Sequence, residues 1–218
     1  MRLQSAIFDM DGTLLDSMPT WRELGPTFLK EAGISATPEQ DRMLHILADC
    51  DVIPYLWEIC GLPWSQQEII DQIIQRMETF YSSQVRPKPG LEKFLSILKM
   101  EGVWMYVATA THRRLTEKAL KTAGIDHYFR GIVTSADAGN HKSESADIYE
   151  MAMRRLQSNK RDTVVFEDAL HAIRTAKAAG FRVAGVYEAT AEQDQPEIQR
   201  LCDYYIRSYE ELVQSETF

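Results

Sequence analysis

Short runs rich in Val, Ile, Phe and Tyr alternate with amphipathic helical patterns along most of this chain, and that alternation leaves few folds open. The runs are residues 3–8 (LQSAIF), 103–109 (VWMYVAT), 131–135 (GIVTS), 163–167 (TVVFE) and 182–187 (RVAGVY). They are continuous rather than alternately polar, as strands buried on both faces of a parallel sheet are. Between them, apolar residues recur at three- and four-residue spacings: Leu91, Phe94, Leu95, Leu98; Leu115, Ala119, Leu120; Ile148, Tyr149, Ala152, Met153, Leu156. Each set is the stripe of a helix lying on a sheet. Strand–helix–strand order predicts an α/β fold with a parallel sheet.

Residues 17–84 break the pattern and show no convincing strand. Met18, Trp21, Leu24, Phe28, Leu29 and Ala32 share one helical face, and Thr37-Pro38-Glu39-Gln40 reads as a capping box opening a second helix. Ser65-Gln66-Gln67-Glu68 is another capping box, leading into Ile69, Ile70, Ile73, Ile74, Met77, Phe80 and Tyr81 on one face. The prolines of residues 86–90 (RPKPG) then resist helix continuation. The expected organisation is an α/β core of residues 1–16 and 85–218, with residues 17–84 forming a small all-helical insert.

Composition narrows the ligand. Against 32 Asp and Glu stand 24 Lys and Arg, a formal charge of −8 with no basic run, which argues against nucleic acid and against anionic lipid surfaces. No stretch approaches the ~18 apolar residues of a spanning helix, and the chain opens without a charged-then-apolar leader. Cys50, Cys60 and Cys202 have no metal-binding spacing and read as reduced packing residues of a cytoplasmic protein. An anionic ligand must therefore be met locally, by one cation or by aimed N–H groups.

The strongest local signal is Asp9-Met10-Asp11-Gly12-Thr13, placed where the first strand ends. In an open α/β sheet, ligands bind beyond the carboxyl ends of the strands, and two carboxylates two positions apart there are poorly explained as packing. With this motif, the chain resembles the haloacid dehalogenase-like hydrolase superfamily, in its phosphatase and β-phosphoglucomutase-like branch with a helical cap after the first motif. Three further motifs follow in order: Thr109 in VATAT, Lys142 in GNHKSESADIYE, and Glu167-Asp168 in VVFEDA. The resemblance spans essentially the whole chain and implies a Rossmann-like core.

The chemistry can be built from the residues themselves. A phosphate ester repels nucleophiles, so its site needs a nucleophile, charge neutralisation and an acid for the leaving oxygen. Asp9 can attack phosphorus to form an aspartyl-phosphate, and Asp11 can protonate the leaving alkoxide and later activate water; the family assigns the matching aspartates the same roles. Asp9, the main-chain carbonyl of Asp11, and Asp168 offer hard oxygen ligands suited to Mg²⁺, with Glu167 standing behind them. Lys142, the Thr109 hydroxyl and the Ala110 N–H are the expected partners of the phosphoryl oxygens. The third motif lacks the family's usual prolines and carries an apparent extra residue. Among five histidines, His112 and His141 are the better functional candidates by position.

Asp11 argues against a dehalogenase, and the absence of lysine between Lys30 and Lys88 argues against a phosphonatase. A sugar-phosphate mutase and a catalytically silent phosphate binder are the remaining alternatives to a Mg²⁺-dependent phosphatase acting as a monomer. Residues 43–75 contain no Lys or Arg, so a second phosphate would lie unpaired beneath the cap. Small monophosphates with neutral, hydroxyl-rich bodies, such as sugar or polyol phosphates, are the expected substrates. Trp21, Arg22 and His45 are the cap residues expected to meet them.

Overall fold

The computed structural model describes residues 3–46 and 49–214, with side chains 45–51 and 214 left out. A six-stranded parallel sheet runs through it in the order β3-β2-β1-β4-β5-β6. The strands are β1 (Ser5–Phe8), β2 (Trp104–Thr109), β3 (Ile132–Thr134), β4 (Thr163–Glu167), β5 (Arg182–Val186) and β6 (Tyr204–Ile206). Five coincide with the apolar runs. The sixth was not anticipated: it is an edge strand of three residues, of which only Ile206 is fully buried.

Eleven α-helices are assigned among the described residues: α1 (Met18–Glu31), α2 (Pro38–Ile46), α3 (Asp49–Pro54), α4 (Gln66–Ser83), α5 (Leu91–Met100), α6 (Arg113–Thr122), α7 (Ser135–Ala138), α8 (Asp147–Arg155), α9 (Leu170–Ala178), α10 (Gln195–Leu201) and α11 (Tyr209–Gln214). Residues 18–83 hold α1 to α4 and a π-helical turn at Tyr55–Ile59, with no strand among the described residues. Both capping boxes form. Thr37 N–H donates to Gln40 Oε1 at 2.9 Å while Gln40 N–H donates back to Thr37 Oγ1 at 3.2 Å. Ser65 and Glu68 make the same reciprocal pair at the start of α4, satisfying orphan N–H groups of the first turn.

Successive residues of each buried strand face opposite sides, so the sheet divides the core. Ile7, Ala108 and Val165 face α8 and α9 through Ile148, Ala152 and Ile173. Ala6, Phe8, Val107 and Phe166 face the other way, into a cluster that continues through Leu91 and Phe94 of α5 to Phe28, Leu56, Met77 and Tyr81 of the helical segment. One apolar core thus links that segment to the carboxyl end of the sheet, and Glu78 of α4 adds ion pairs to Arg114 and Lys118 of α6. No described helix is long and apolar enough to cross a membrane.

Candidate active site

β1 occupies the sheet's interior, between β2 and β4, where the direction of strand succession reverses and a crevice opens at the carboxyl edge. Asp9 follows β1, Thr109 ends β2, and Asp168 follows β4, so register alone brings three motif residues together. Asp9 N–H donates to the Phe166 carbonyl at 3.0 Å, extending the ladder by one residue. Chain geometry beyond β1 depends on Gly12. Its φ is +82°, and a Cβ there would strike Asp168 Oδ2; only glycine allows this backbone so near the carboxylate. Thr13 secures the same approach, its hydroxyl donating to Asp168 Oδ1 at 2.7 Å.

Lys142 reaches the site despite the missing prolines. Its turn between α7 and α8 is held by the Glu144 and Ser145 N–H groups donating to the His141 carbonyl. The Ser145 hydroxyl then accepts from Asp147 N–H at 3.2 Å as α8 begins. The buried ammonium lies 2.7 Å from Asp9 Oδ1 and 2.6 Å from Glu167 Oε1. Glu167 is the scaffold of this group rather than a free ligand. Its Oε1 also accepts from Tyr149 Oη at 3.0 Å, and its Oε2 accepts from the Asp168 and Ala169 N–H groups at 2.8 and 3.0 Å. Proximity alone groups Asp9, Glu167 and Asp168 as metal-capable oxygens. The saturation of Glu167 leaves the two aspartates as the available pair.

Three buried carboxylates face one ammonium, and the electrostatics follow. Burial, then Glu167, hold Asp9 well above the usual carboxylate range, although Lys142 opposes them. Burial and Glu167 likewise push Asp168 up to about 7. Burial also works against charge on Glu167, but Lys142 outweighs it and keeps that carboxyl low. For Lys142 itself, burial is outweighed by Asp9 and Glu167, which hold the ammonium high. Asp9 Oδ1 has an ion-pair contact with Lys142 but no well-formed hydrogen bond. A buried oxygen left so, within a cluster carrying excess negative charge, fits a divalent cation with a preference for oxygen. Asp9 and Asp168 are the side chains that would hold it.

Asp11 faces away from this cluster. Its Oδ1 accepts from Ser17 Oγ at 2.6 Å and from Tyr81 Oη at 2.5 Å, and its Oδ2 accepts from Thr111 Oγ1 at 2.7 Å. Tyr81 comes from α4 and itself accepts from Trp21 Nε1 at 3.0 Å. Burial, then the Asp11 carboxylate, push the phenol well above its ordinary value, so it remains a donor. Neither Tyr81, Ser17 nor Thr111 stood out in the sequence as a partner of Asp11. The available signal was Tyr81 itself, since a phenol on a buried stripe must find a polar partner.

Asp9, Asp11, Thr109, Ala110, Lys142 and Asp168 line one narrow pocket of about 40 Å³. His141 and His171 share its wall. His112 does not; its Nδ1 accepts from Arg114 N–H at 3.3 Å and caps α6. Beside this pocket opens a cavity of about 250 Å³ that has Ala110 and His141 in common with it and is otherwise walled by Trp21, Phe28, Ile53, Leu56 and their neighbours. Arg22 lines neither space, and the side chain of His45 lies outside the described residues. A larger hollow of about 440 Å³ sits at the amino end of β1 and β2, around Gln4, Ser5 and Gln157. That is the end of a parallel sheet without the chemistry.

The sequence model of the haloacid dehalogenase-like hydrolase family matches residues 6–186. The phosphorylated carbohydrates phosphatase of Thermotoga maritima is 26% identical over 185 residues, covering 84% of this chain and 85% of that protein. Hexitol phosphatase B of Escherichia coli strain K12 is 24% identical over 214 residues, covering 97% of this chain and 95% of that protein. Among solved structures, CbbY from Rhodobacter sphaeroides in complex with phosphate superposes with a TM-score of 0.75 at 22% identity, over 96% of both chains.

Proposed function

Given that the chain belongs to the haloacid dehalogenase-like hydrolase family and is a phosphoric monoester hydrolase, we propose that it is a Mg²⁺-dependent phosphatase working through an aspartyl-phosphate on Asp9. The carrying observation is the meeting of Asp9 and Asp168, just past the carboxyl ends of the adjacent strands β1 and β4, with Lys142 from the α7–α8 turn, whose Nζ lies 2.7 Å from Asp9 Oδ1. Thr109, Ala110 and Lys142 bind the phosphoryl oxygens and spread their charge as it shifts in the transition state. An Asp9 carboxylate oxygen forms the bond to phosphorus while the ester P–O bond breaks. Asp11 gives its proton to the departing oxygen. In the second half, Asp11 takes a proton from water as that water attacks phosphorus and frees Asp9. Bound at Asp9 and Asp168, Mg²⁺ supplies charge neutralisation for the phosphoryl group. The Asp11 main-chain carbonyl is proposed as a third protein ligand.

Residues 17–84 are proposed as a cap domain over a core of residues 1–16 and 85–218, with Trp21 meeting the substrate's body. Relatives named for phosphorylated carbohydrates, hexitols and fructose 1-phosphate support a small sugar- or polyol-derived body carrying a single phosphate. Among the described residues no charged side chain lines the adjoining cavity, which favours hydrolysis over a mutase that must seat a second phosphate. The test is Asp9→Asn, nearly isosteric and unable to form the acyl-phosphate. Phosphate release from p-nitrophenyl phosphate with Mg²⁺ should fall by at least about a hundredfold, with the circular-dichroism spectrum unchanged. Retention of more than about a hundredth of the rate would remove Asp9 as nucleophile.

A further inference from the structure

The cavity beside the phosphoryl pocket has the opposite character to it. Because Ala110 and His141 belong to both walls, the body of an ester whose phosphoryl group sits on Thr109, Ala110 and Lys142 passes into the larger space. Among the described residues, the walls there are the Trp21, Phe28, Leu56 and Ile73 side chains with three further aliphatic neighbours, Leu24, Val52 and Ile53, and none of these is charged. Their polar atoms are few and already engaged. Trp21 Nε1 donates to Tyr81 Oη at 3.0 Å, and His141 Nδ1 lies 2.8 Å from Ser143 Oγ. A hydroxyl entering this space gives up its hydrogen bonds to water and finds few in exchange. A methylene entering it gains about fourfold in affinity by leaving water.

We propose that this cavity is a subsite for the deoxygenated, C–H-rich part of the substrate's body. On this assignment the enzyme favours, among small sugar- and polyol-derived monophosphates, those deoxygenated at the carbons that enter the cavity, and an alkyl phosphate of the same length binds more tightly than the fully hydroxylated polyol phosphate. The volume permits it: an apolar cavity of roughly 150 Å³ accommodates benzene, and about 250 Å³ admits a six-carbon body. The turnover half of this inference rests on the phosphatase reading; the binding half does not.

A matched pair separates the two. Hexyl phosphate and sorbitol 6-phosphate have the same carbon count, and the polyol is the better leaving group, so faster turnover of the alkyl ester cannot come from leaving-group acidity. Calorimetric titration of the full-length Asp9→Asn protein with Mg²⁺ present should give hexyl phosphate at least a tenfold lower Kd. The wild-type kcat/KM ratio should lean the same way by a similar factor. Ile73→Asn, which places an amide in the wall, and the milder Ile73→Thr should both bring the binding ratio towards one. Equal or tighter binding of the polyol ester overturns the subsite, as does an alkyl preference that both Ile73 variants leave untouched. An alkyl binding preference without turnover of either ester overturns the phosphatase reading and leaves the subsite standing.

Discussion

The two halves of the site are built on different principles. At the sheet's carboxyl edge, Asp9, Lys142, Glu167 and Asp168 are buried, charged and held by ladder register and main-chain N–H groups. A few ångströms away, the helical segment offers an uncharged wall of Trp21, Phe28, Leu56 and Ile73. Coulomb forces in a low dielectric are strong but demand exact partners, and a group removed there leaves a charge stranded. Dispersion and hydrophobic contact are forgiving, and single changes shift them in small steps. The phosphoryl end is therefore the part of the molecule that resists variation, and the apolar end is the part that can be retuned. Tyr81 joins them: it hangs from the helical segment and donates to Asp11 of the core.

The sharpest way to break the contrast is Lys142→Met, similar in length and without charge. It leaves three buried carboxylates with no cation. The kcat/KM should fall by about 10²- to 10³-fold, and the metal-free fold should lose about 3–5 kcal/mol in urea unfolding. Added Mg²⁺ should return part of that stability. An unchanged unfolding midpoint would mean that Lys142 does not compensate the buried carboxylates.

Next in size is Tyr81→Phe, which removes a single oxygen from the joint between the halves. The kcat for an alkyl phosphate should drop about tenfold, and that for p-nitrophenyl phosphate by less, because a nitrophenolate hardly needs a proton. Identical losses on both substrates would separate Tyr81 from the handling of the leaving oxygen.

The charged half should also answer to pH. In the metal-free protein Asp168 titrates at about 7 against an ordinary 3.8. Between those values the folded chain holds a proton that the unfolded chain has lost, so stability falls as pH rises through that window. A divalent cation takes the place of that proton. The Tm gain on adding Mg²⁺ should be larger at about pH 8 than at about pH 5.5. Equal gains would take Asp168 out of the cation site.

The smallest effect belongs to the forgiving half. Ser65→Ala removes the hydroxyl that accepts from Glu68 N–H at the start of α4. It should cost about 1 kcal/mol of stability and leave the KM for p-nitrophenyl phosphate within twofold. A larger kinetic change would show that the two halves are less separable than the contrast implies.

The same contrast governs what the sequence disclosed. Buried strands are continuous apolar runs, so β1 to β5 were legible, β3 with its three residues at one edge included, whereas in Tyr204–Ile206 at the other edge only Ile206 is fully buried. The capping boxes at Thr37 and Ser65 were legible because they are local, each closing over three residues. Asp9 was legible as one of two carboxylates closing a strand, and Thr109 and Asp168 were legible through the resemblance, whose motifs follow in order at successive strand ends. Tyr81 was visible as an apolar position of α4 but not as a donor to Asp11, since that bond joins residues 70 apart and no local pattern encodes it. The turn around Lys142 was equally hidden. Its position is carried by main-chain bonds to His141 and a serine cap, where prolines would have been the readable sign.

The bond from Thr13 to Asp168 spans 155 residues. During synthesis the loop around Asp9 leaves the ribosome first, and at about 5–20 residues per second its counterpart follows roughly 8–30 s later. Through most of that interval the nascent chain carries Asp9 without Lys142, Glu167 or Asp168 beside it. On the proposed mechanism the chemistry is thus withheld from incomplete products of translation, and a chain truncated before β4 would carry the first motif as an inert, hydrated loop.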